Sequence, residues 1–176
     1  GVGTSTWAYV NIKGNYIGTD KTGLLSKGNL NGILLGTLTT GINVIGGASG
    51  LDPDNGCTGD CNLISGNTIS GISFSGFEPG DNGDGTDRLN ILGNFIGTNV
   101  TGTASIPNGS GIQNYYADSV NIGGTDILSR NVISGNSGSG MTIYSYLTQE
   151  GQQVKDLHIR NNYIGTNASG TSALSN

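Results

Sequence analysis

A six-residue motif occurs five times in this chain and constrains its fold more than any other feature of the sequence. The pattern is Asn, an apolar residue, Ile, Gly or Ser, Thr or Gly, and Asp or Asn. The five copies begin at Asn15, Asn62, Asn94, Asn131 and Asn162. Copies with Ile-Gly-Thr alternate with copies with Ile-Ser-Gly, so the true unit is a pair of motifs. Self-similarity at a regular spacing is the signature of repeat architectures, and the motif therefore predicts a solenoid.

Two weaker motifs precede each copy. One begins with Asn and an apolar residue, with a His variant, at Asn11, Asn43, Asn90, Asn121 and His158. The other begins with Gly and an apolar residue, at Gly32, Gly71, Gly111 and Gly140, and its first copy, near Gly1, is degenerate. Short apolar segments bounded by Gly or Asn indicate short strands separated by tight turns. Three strands per unit are therefore expected.

The simplest structure for such units is an all-β parallel solenoid with three faces. We expect a single segment over residues 1–176, made of about five coils at 1–30, 31–67, 68–109, 110–137 and 138–176. Each strand would pair with its equivalent in the next coil, about 4.8 Å away. The invariant motif isoleucines would then form one inward ladder of Ile17, Ile64, Ile96, Ile133 and Ile164.

The asparagines predict two polar stacks at corners of the coils. The first residues of the motif would form one stack, because amide side chains can bond along a ladder. The last residues of the motif would form the other, at Asp20, Asn67, Asn99, Asn136 and Asn167. Asp and Asn suit sharp corners because they bond to their own backbone.

The second motif position is apolar in every copy, at Tyr16, Leu63, Phe95, Val132 and Tyr163. Because the next residue is Ile, the two consecutive apolar residues do not follow the alternation of buried apolar and exposed polar side chains along a strand. The row is either buried or covered by a loop, or it is an exposed stripe that awaits a partner.

The segment Asn162-Tyr-Ile-Gly-Thr-Asn-Ala-Ser-Gly-Thr171, together with Asn131-Val-Ile-Ser-Gly-Asn136, resembles the right-handed parallel β-helix repeat proteins of bacterial surfaces and secretions. The resemblance covers the whole chain. It implies a right-handed parallel β-helix of the pectin-lyase type and an extracellular or cell-surface location. It implies no particular activity, because such repeats occur in adhesin-like, enzymatic and unassigned proteins alike.

Composition and charge exclude several classes. With 33 Gly, 3 Pro and 11% charged residues, the chain is a poor helix former. The net charge of −5 without a basic cluster argues against a nucleic-acid partner. No apolar run is long enough for a transmembrane segment. The chain begins inside the repeat pattern, so we expect it to be a piece of a longer protein.

The sequence predicts no enzyme. Pectin-processing lyases and hydrolases use this fold with clustered Asp and with Lys, Arg or His on one outer face. Here His158 stands where other coils have Asn, which favours a turn residue over a catalytic one. Asp118, Asp126 and Asp156 are isolated in predicted loops, without a catalytic triad or a paired-carboxylate signature.

Two loops interrupt the repeat. The first contains Cys57 and Cys61, for which a local disulfide is favoured over a metal site because further thiol or imidazole ligands are lacking apart from His158. Such a bond would contribute little, because it closes a short loop outside the expected core. The second loop carries four oxygen donors, and calcium binding or a solvated acidic loop both fit them: Asp81, Asn82, Asp84 and Asp87.

Four tyrosines cluster late in the chain, at Tyr115, Tyr116, Tyr144 and Tyr146. Alignment of Gly111 with Gly140 places Tyr115 beside Tyr144 in neighbouring coils, on the outward side. Exposed stacked tyrosines suit sugar rings or a partner protein, and a purely stabilising cross-strand pair is the alternative.

Three acceptor sequences for N-glycosylation begin at Asn99, Asn108 and Asn167. Such triplets are frequent in any chain rich in Asn, Ser and Thr. They matter only where the source glycosylates its proteins.

These features favour a non-catalytic structural or adhesive segment of an extracellular β-helical protein. Solenoids need polar caps to remain soluble, and neither end shows one. We therefore expect each end to meet further β-helix, from the same longer chain or from a head-to-tail copy in a fibre. The alternative is a carbohydrate-binding or carbohydrate-active β-helix with polysaccharide as its partner.

Overall fold

The computed structural model describes residues 1–4, 9–36, 42–49, 51–52, 56–75, 88–145, 154 and 156–176. In these residues the chain is all-β apart from one 3₁₀ turn at Ile127–Ser129. Each of the five coils contributes one strand to each of three sheets. The second coil also carries a small antiparallel strand pair, Leu51–Asp52 with Gly56–Cys57.

The strands in chain order are β1 (Val2–Thr4), β2 (Asn11–Ile12), β3 (Tyr16–Ile17), β4 (Asn31–Leu35), β5 (Ile42–Gly46), β6 (Leu51–Asp52), β7 (Gly56–Cys57), β8 (Leu63–Ile64), β9 (Ser70–Ser75), β10 (Arg88–Leu92), β11 (Phe95–Ile96), β12 (Ser110–Tyr115), β13 (Val120–Ile122), β14 (Val132–Ile133), β15 (Met141–Tyr144), β16 (His158–Ile159) and β17 (Tyr163–Ile164). Three five-stranded sheets result, with orders β1-β4-β9-β12-β15, β2-β5-β10-β13-β16 and β3-β8-β11-β14-β17. All pairs in these sheets are parallel and follow the order of the coils. The predicted three-faced parallel solenoid is therefore confirmed.

The core is a set of inward ladders, one residue per coil. The motif isoleucines are in register from Ile17 to Ile164, as predicted. Ile64, Ile96 and Ile133 are completely buried. Equivalent ladders come from the other two sheets, for example at Ile72 and Ile91. Each such side chain contributes about 1.5–3 kcal/mol through burial.

The predicted first asparagine stack is also present. Its members are Asn15, Asn62, Asn94, Asn131 and Asn162. A side-chain N–H of each donates to the Oδ1 of the next, over 2.9–3.1 Å. The main-chain N–H of each donates to that same oxygen. The side-chain nitrogen of Asn62, and of every later member, also donates to a main-chain carbonyl of the preceding coil. The inner amides are buried with their hydrogen-bonding capacity used, as buried polar groups require.

The predicted second stack is wrong for the coils that contain Ile-Gly-Thr. Its members are Asn29, Asn67, Asn108, Asn136 and Asn176, linked over 2.8–3.2 Å. In the first, third and fifth coils the second ladder asparagine follows the first by 14 residues, and we call these the long coils. In the second and fourth, the short coils, it follows by 5 residues.

An inserted loop in each long coil causes this difference. The three long loops are residues 20–26, 99–105 and 167–173, each closed by an antiparallel bridge at its base. The motif predicts Asp20, Asn99 and Asn167 for the ladder, but these residues stabilise the long loops instead. The Asn99 Oδ1, for example, accepts bonds from the Thr101 hydroxyl and from the main-chain N–H groups of Thr103 and Ala104.

The long loops cover the apolar row that follows the first ladder. Leu63, Phe95 and Val132 are completely buried in a second cluster with Cys57, Cys61 and Ala168. Of the two alternatives for this row, burial under a loop is therefore correct in the three inner coils. Tyr16 in the first coil stays partly exposed.

Candidate functional site

The outer face of the fifth coil exposes residues that are core residues in every inner coil. Ile159 is 44% exposed and Ile164 is 48% exposed, whereas their equivalents Ile122 and Ile133 are completely buried. Both residues belong to strands at the edge of their sheets. Exposed strand edges with apolar side chains are a template for pairing with another strand.

Both asparagine ladders run with one polarity along the solenoid. In both ladders, one side-chain N–H of each inner asparagine donates to the Oδ1 of the following coil, and every inner Oδ1 accepts from the preceding coil. At the fifth coil, Asn162 and Asn176 donate one N–H each to carbonyls of the preceding turn, at 2.8 and 3.0 Å. Within the described part of the chain, their second side-chain N–H has no acceptor.

The first coil offers the opposite groups. The side-chain nitrogens of Asn15 and Asn29 donate to Oδ1 of Asn62 and Asn67. Their own Oδ1 atoms accept no hydrogen bond from any residue that the structure describes. The solenoid therefore presents amide donors on one outer face and amide acceptors on the other.

The tyrosines form a cluster on the outward side of the first sheet. The Tyr115 and Tyr144 rings stack with centroids 4.5 Å apart and planes 6° apart. Tyr116 contacts Tyr115 edge-on at 6.4 Å. Burial, with the neighbouring Tyr144 hydroxyl, raises the pKa of Tyr115. The structure thus brings three of the four predicted tyrosines together, and Tyr146 lies outside the described residues.

The predicted disulfide between Cys57 and Cys61 is present. Its expected position outside the core is wrong, because both cysteines are buried against Leu63 and Phe95. The Cys57 main-chain N–H donates to the Val100 carbonyl at 2.8 Å, which ties the hairpin insertion to the long loop of the next coil. The bond therefore stabilises the cover of the second apolar cluster.

A surface ion pair holds the same insertion on its other side. Lys13 Nζ lies 3.0 Å from Asp60 Oδ2, and the Gly14 N–H donates to the Asp60 carbonyl. The bonds from Lys13 and Ser49 lower the pKa of the Asp60 carboxyl.

The three candidate glycosylation sites differ in accessibility. Asn108 is completely buried, and its side-chain nitrogen donates to Ile64 O and Asn136 Oδ1. The folded chain therefore does not present Asn108 to a glycosyltransferase. Asn99 and Asn167 are partly exposed in their loops, and their glycosylation stays a prediction.

The residues considered for catalysis do not converge. His158 is exposed on β16, where its ring nitrogen contacts Arg160 at 3.2 Å, and Asp126 and Asp156 are exposed in connections between strands. Among residues 1–4, 9–36, 42–49, 51–52, 56–75, 88–145, 154 and 156–176, no three His, Cys, Asp or Glu side chains form a metal-binding group. The calcium candidates Asp81, Asn82, Asp84 and Asp87 lie outside these ranges.

Comparisons with known proteins return no relative. No family model matches the chain, and neither a curated protein nor a solved structure is significantly similar to it. In the part of the chain that the structure describes, no helix is long and apolar enough to cross a membrane. Support for a function therefore comes from the geometry alone.

Proposed function

We propose that the chain is a non-catalytic structural segment of an extracellular β-helical protein, and that its outer coils dock further β-helical coils. The observation that carries this proposal is the polarity of the two asparagine ladders. Unused amide donors on the fifth coil match unused amide acceptors on the first. A coil stacked on either face completes both ladders at once.

Apolar surface supports the same role. A stacked coil would cover Ile159 and Ile164 with its own isoleucines, as β13 and β14 are covered by β16 and β17. Each side chain that is fully covered in this way contributes about 1.5–3 kcal/mol. The same coil would supply partners for the main-chain groups of three strand edges.

The buried disulfide supports an oxidising location. Disulfides persist in secreted and surface proteins and are rare in reducing compartments. Cys57 and Cys61 are bonded and shielded, which suits a segment that stays outside the cell.

Hydrogen exchange tests the docking. The isolated chain is compared with the same residues in the protein recovered from the medium or surface fraction of its source. We expect the amide of Ile164 to exchange fast in isolation and slowly in the recovered protein. The amide of Ile96, which is interior in both samples, is the control. Equal exchange at Ile164 in the two samples, or recovery from a reducing compartment only, would overturn the proposal.

A second candidate is carbohydrate binding at the tyrosine cluster. The stacked Tyr115 and Tyr144 rings face outward, and Tyr144 is 39% exposed. Gln113 and Thr142 lie in register one row away on the same face and offer hydrogen-bonding groups. Aromatic faces beside polar side chains suit sugar rings.

Calorimetric titration with oligosaccharides of plant and bacterial cell walls tests this candidate. Tyr144→Ala should weaken any binding at least about tenfold, whereas Tyr9→Ala, at an exposed tyrosine elsewhere, should leave it unchanged. Equal effects of the two substitutions, or no heat with any of the sugars, would reject it.

A further inference from the structure

We infer that the coil which docks on the fifth coil is of the short type, in which the second ladder asparagine follows the first by five residues, and is not the first coil of another copy of this chain. This inference rests on the proposed docking role and names the partner of that face. It comes from the way the long loops contact one another.

Long loops of alternate coils touch directly across the short coil between them. The Val100 N–H donates to the Gly23 carbonyl at 3.1 Å, and the Ala168 N–H donates to the Gly102 carbonyl at 2.9 Å. Within their sheet, however, β3 and β11 are separated by β8, and β11 and β17 by β14. Two steps between strands amount to about 9.6 Å. Each pair of long loops therefore makes contact although the strands beside them are two coils apart along the solenoid.

Side-chain packing at the loop contacts is equally close. A Cβ atom placed on Gly102 would lie 2.5 Å from the Ala168 Cβ and 2.8 Å from the Phe95 ring. A Cβ on Gly23 would lie 2.8 Å from the Val100 Cβ. The space beside each short coil is thus already filled by the loops of its two long neighbours.

Two long coils in direct succession would not fit this arrangement. Their loops would start only about 4.8 Å apart, although each pair in the chain is built for twice that separation. Because the first coil is itself long, a head-to-tail copy would bring loop 20–26 of one molecule onto loop 167–173 of the other. A short coil carries no loop and leaves that space free.

Gly170 indicates which type of coil lies beyond the short one. It is the equivalent of Gly23 and Gly102, and it has the same positive φ, +72° against +68° and +65°. The atoms nearest to a Cβ on Gly170 belong to the Tyr163 ring of the same coil, from 2.7 Å, and no described residue donates to the Gly170 carbonyl. The geometry suits a further long loop, two coils away, with a small apolar residue packed on Gly170 and its N–H bonded to this carbonyl.

The test extends the chain beyond Asn176 with segments of its own sequence. In the first variant, residues 109–136 are added, so that the short fourth coil follows in the same phase as it follows Asn108. In the matched control, residues 132–135 of the added segment are replaced by residues 95–107, which introduces the long loop and leaves the rest unchanged. Hydrogen exchange at Ile164 and thermolysin resistance of the added segment are measured in both.

We expect the short extension to resist thermolysin and to slow exchange at Ile164 by about tenfold or more. The long extension should be digested and leave Ile164 unchanged. Equal protection by both, or protection by the long extension alone, would overturn the inference and leave the docking proposal standing. If neither protects Ile164, residues 109–176 are added instead, which supply a short coil followed by a long one. Failure of that chain as well would overturn the docking proposal together with the inference.

Discussion

The side-chain nitrogen of Asn94 donates to the Oδ1 of Asn131 over 3.0 Å, although the two residues lie 37 positions apart in the chain. Asn94 also donates to the Ile45 carbonyl and accepts from Asn62, and both asparagines are completely buried. A buried amide that is satisfied on every side depends on both its donor and its acceptor atoms. The ladder should therefore be intolerant of any substitution that removes the donor.

Asn94→Asp is the sharpest test of this dependence. The substitution keeps the shape but leaves the Asn131 Oδ1 without a side-chain donor and places a carboxylate among carbonyl oxygens. We expect a loss of about 3 kcal/mol or more in the free energy of unfolding at neutral pH, measured by denaturant titration. Asn90→Asp is the control, because among the described residues the Asn90 side chain has one hydrogen bond, which it accepts from Asn121 and which a carboxylate also accepts. A loss of similar size at both positions would contradict the role of the ladder donors.

The isoleucine ladder gives a second matched pair. Ile96 is completely buried and Ile164 is 48% exposed, although both occupy the same position of the motif. We expect Ile96→Asp to prevent folding at neutral pH, because it buries an unpaired charge. Ile164→Asp should cost less than about 1.5 kcal/mol. Circular dichroism melts of the two variants decide this, and loss of folding in both would show that the fifth coil is less open than described.

Five coils and three parallel sheets were predictable because each copy of the motif places the same residue types in the same structural positions. An invariant Ile followed by Gly or Ser needs the same buried position in each coil, which predicts the observed register from Ile17 through Ile164. The first asparagine ladder followed from the same spacing. Cys57 and Cys61 were predictable as a pair from their short separation and from the lack of further thiol ligands for a metal.

The second ladder was missed because the long loops shift its phase. Asn29 and Asn108 do not occupy the end of the motif, and Asp20 and Asn99 do. A signal was present nonetheless. Asn29 and Asn108 lie three residues before Gly32 and Gly111, and Asn67 and Asn136 lie four residues before Gly71 and Gly140. An Asn three or four residues before this Gly therefore marks the second ladder in the first four coils.

The contact between alternate long loops could not be predicted from spacing. Gly102 and Ala168 belong to different repeat pairs, and nothing in the sequence between them indicates that their loops meet across β14. The same contact buries Leu63 and Val132. The alternation of residues in the sequence does not show whether this apolar row is buried or exposed. The buried position of Cys57 and Cys61 follows from it too, since their hairpin packs on the loop at Val100.

Removal of the disulfide should therefore cost more than a short surface loop suggests. Both sulfur atoms lie in the second apolar cluster, so the change affects packing as well as chain entropy. For Cys57→Ala with Cys61→Ala we expect a loss of about 2–3 kcal/mol in the free energy of unfolding. The double Ser variant should lose more, because it buries two hydroxyl groups. Guanidinium titration measures both, and an unchanged midpoint in the Ala variant would place the bond outside the core after all.

The loop contact itself can be measured with Gly102→Ala and Gly170→Ala. Both glycines have a left-handed φ, +65° and +72°, so a Cβ strains the backbone equally at the two sites. At both sites the new methyl group meets an aromatic ring of its own coil, Phe95 at 2.8 Å beside Gly102 and the partly exposed Tyr163 at 2.7 Å beside Gly170. Gly102 differs in that the methyl group also meets the Ala168 Cβ of another long loop, at 2.5 Å. We expect Gly102→Ala to lower the free energy of unfolding by about 1–3 kcal/mol more than Gly170→Ala does. Ala168→Gly should recover part of that difference in a double-mutant cycle, because it removes the atom with which the new methyl group collides. Equal losses at the two glycines, or no recovery in the cycle, would show that the long loops do not pack on one another across the short coil.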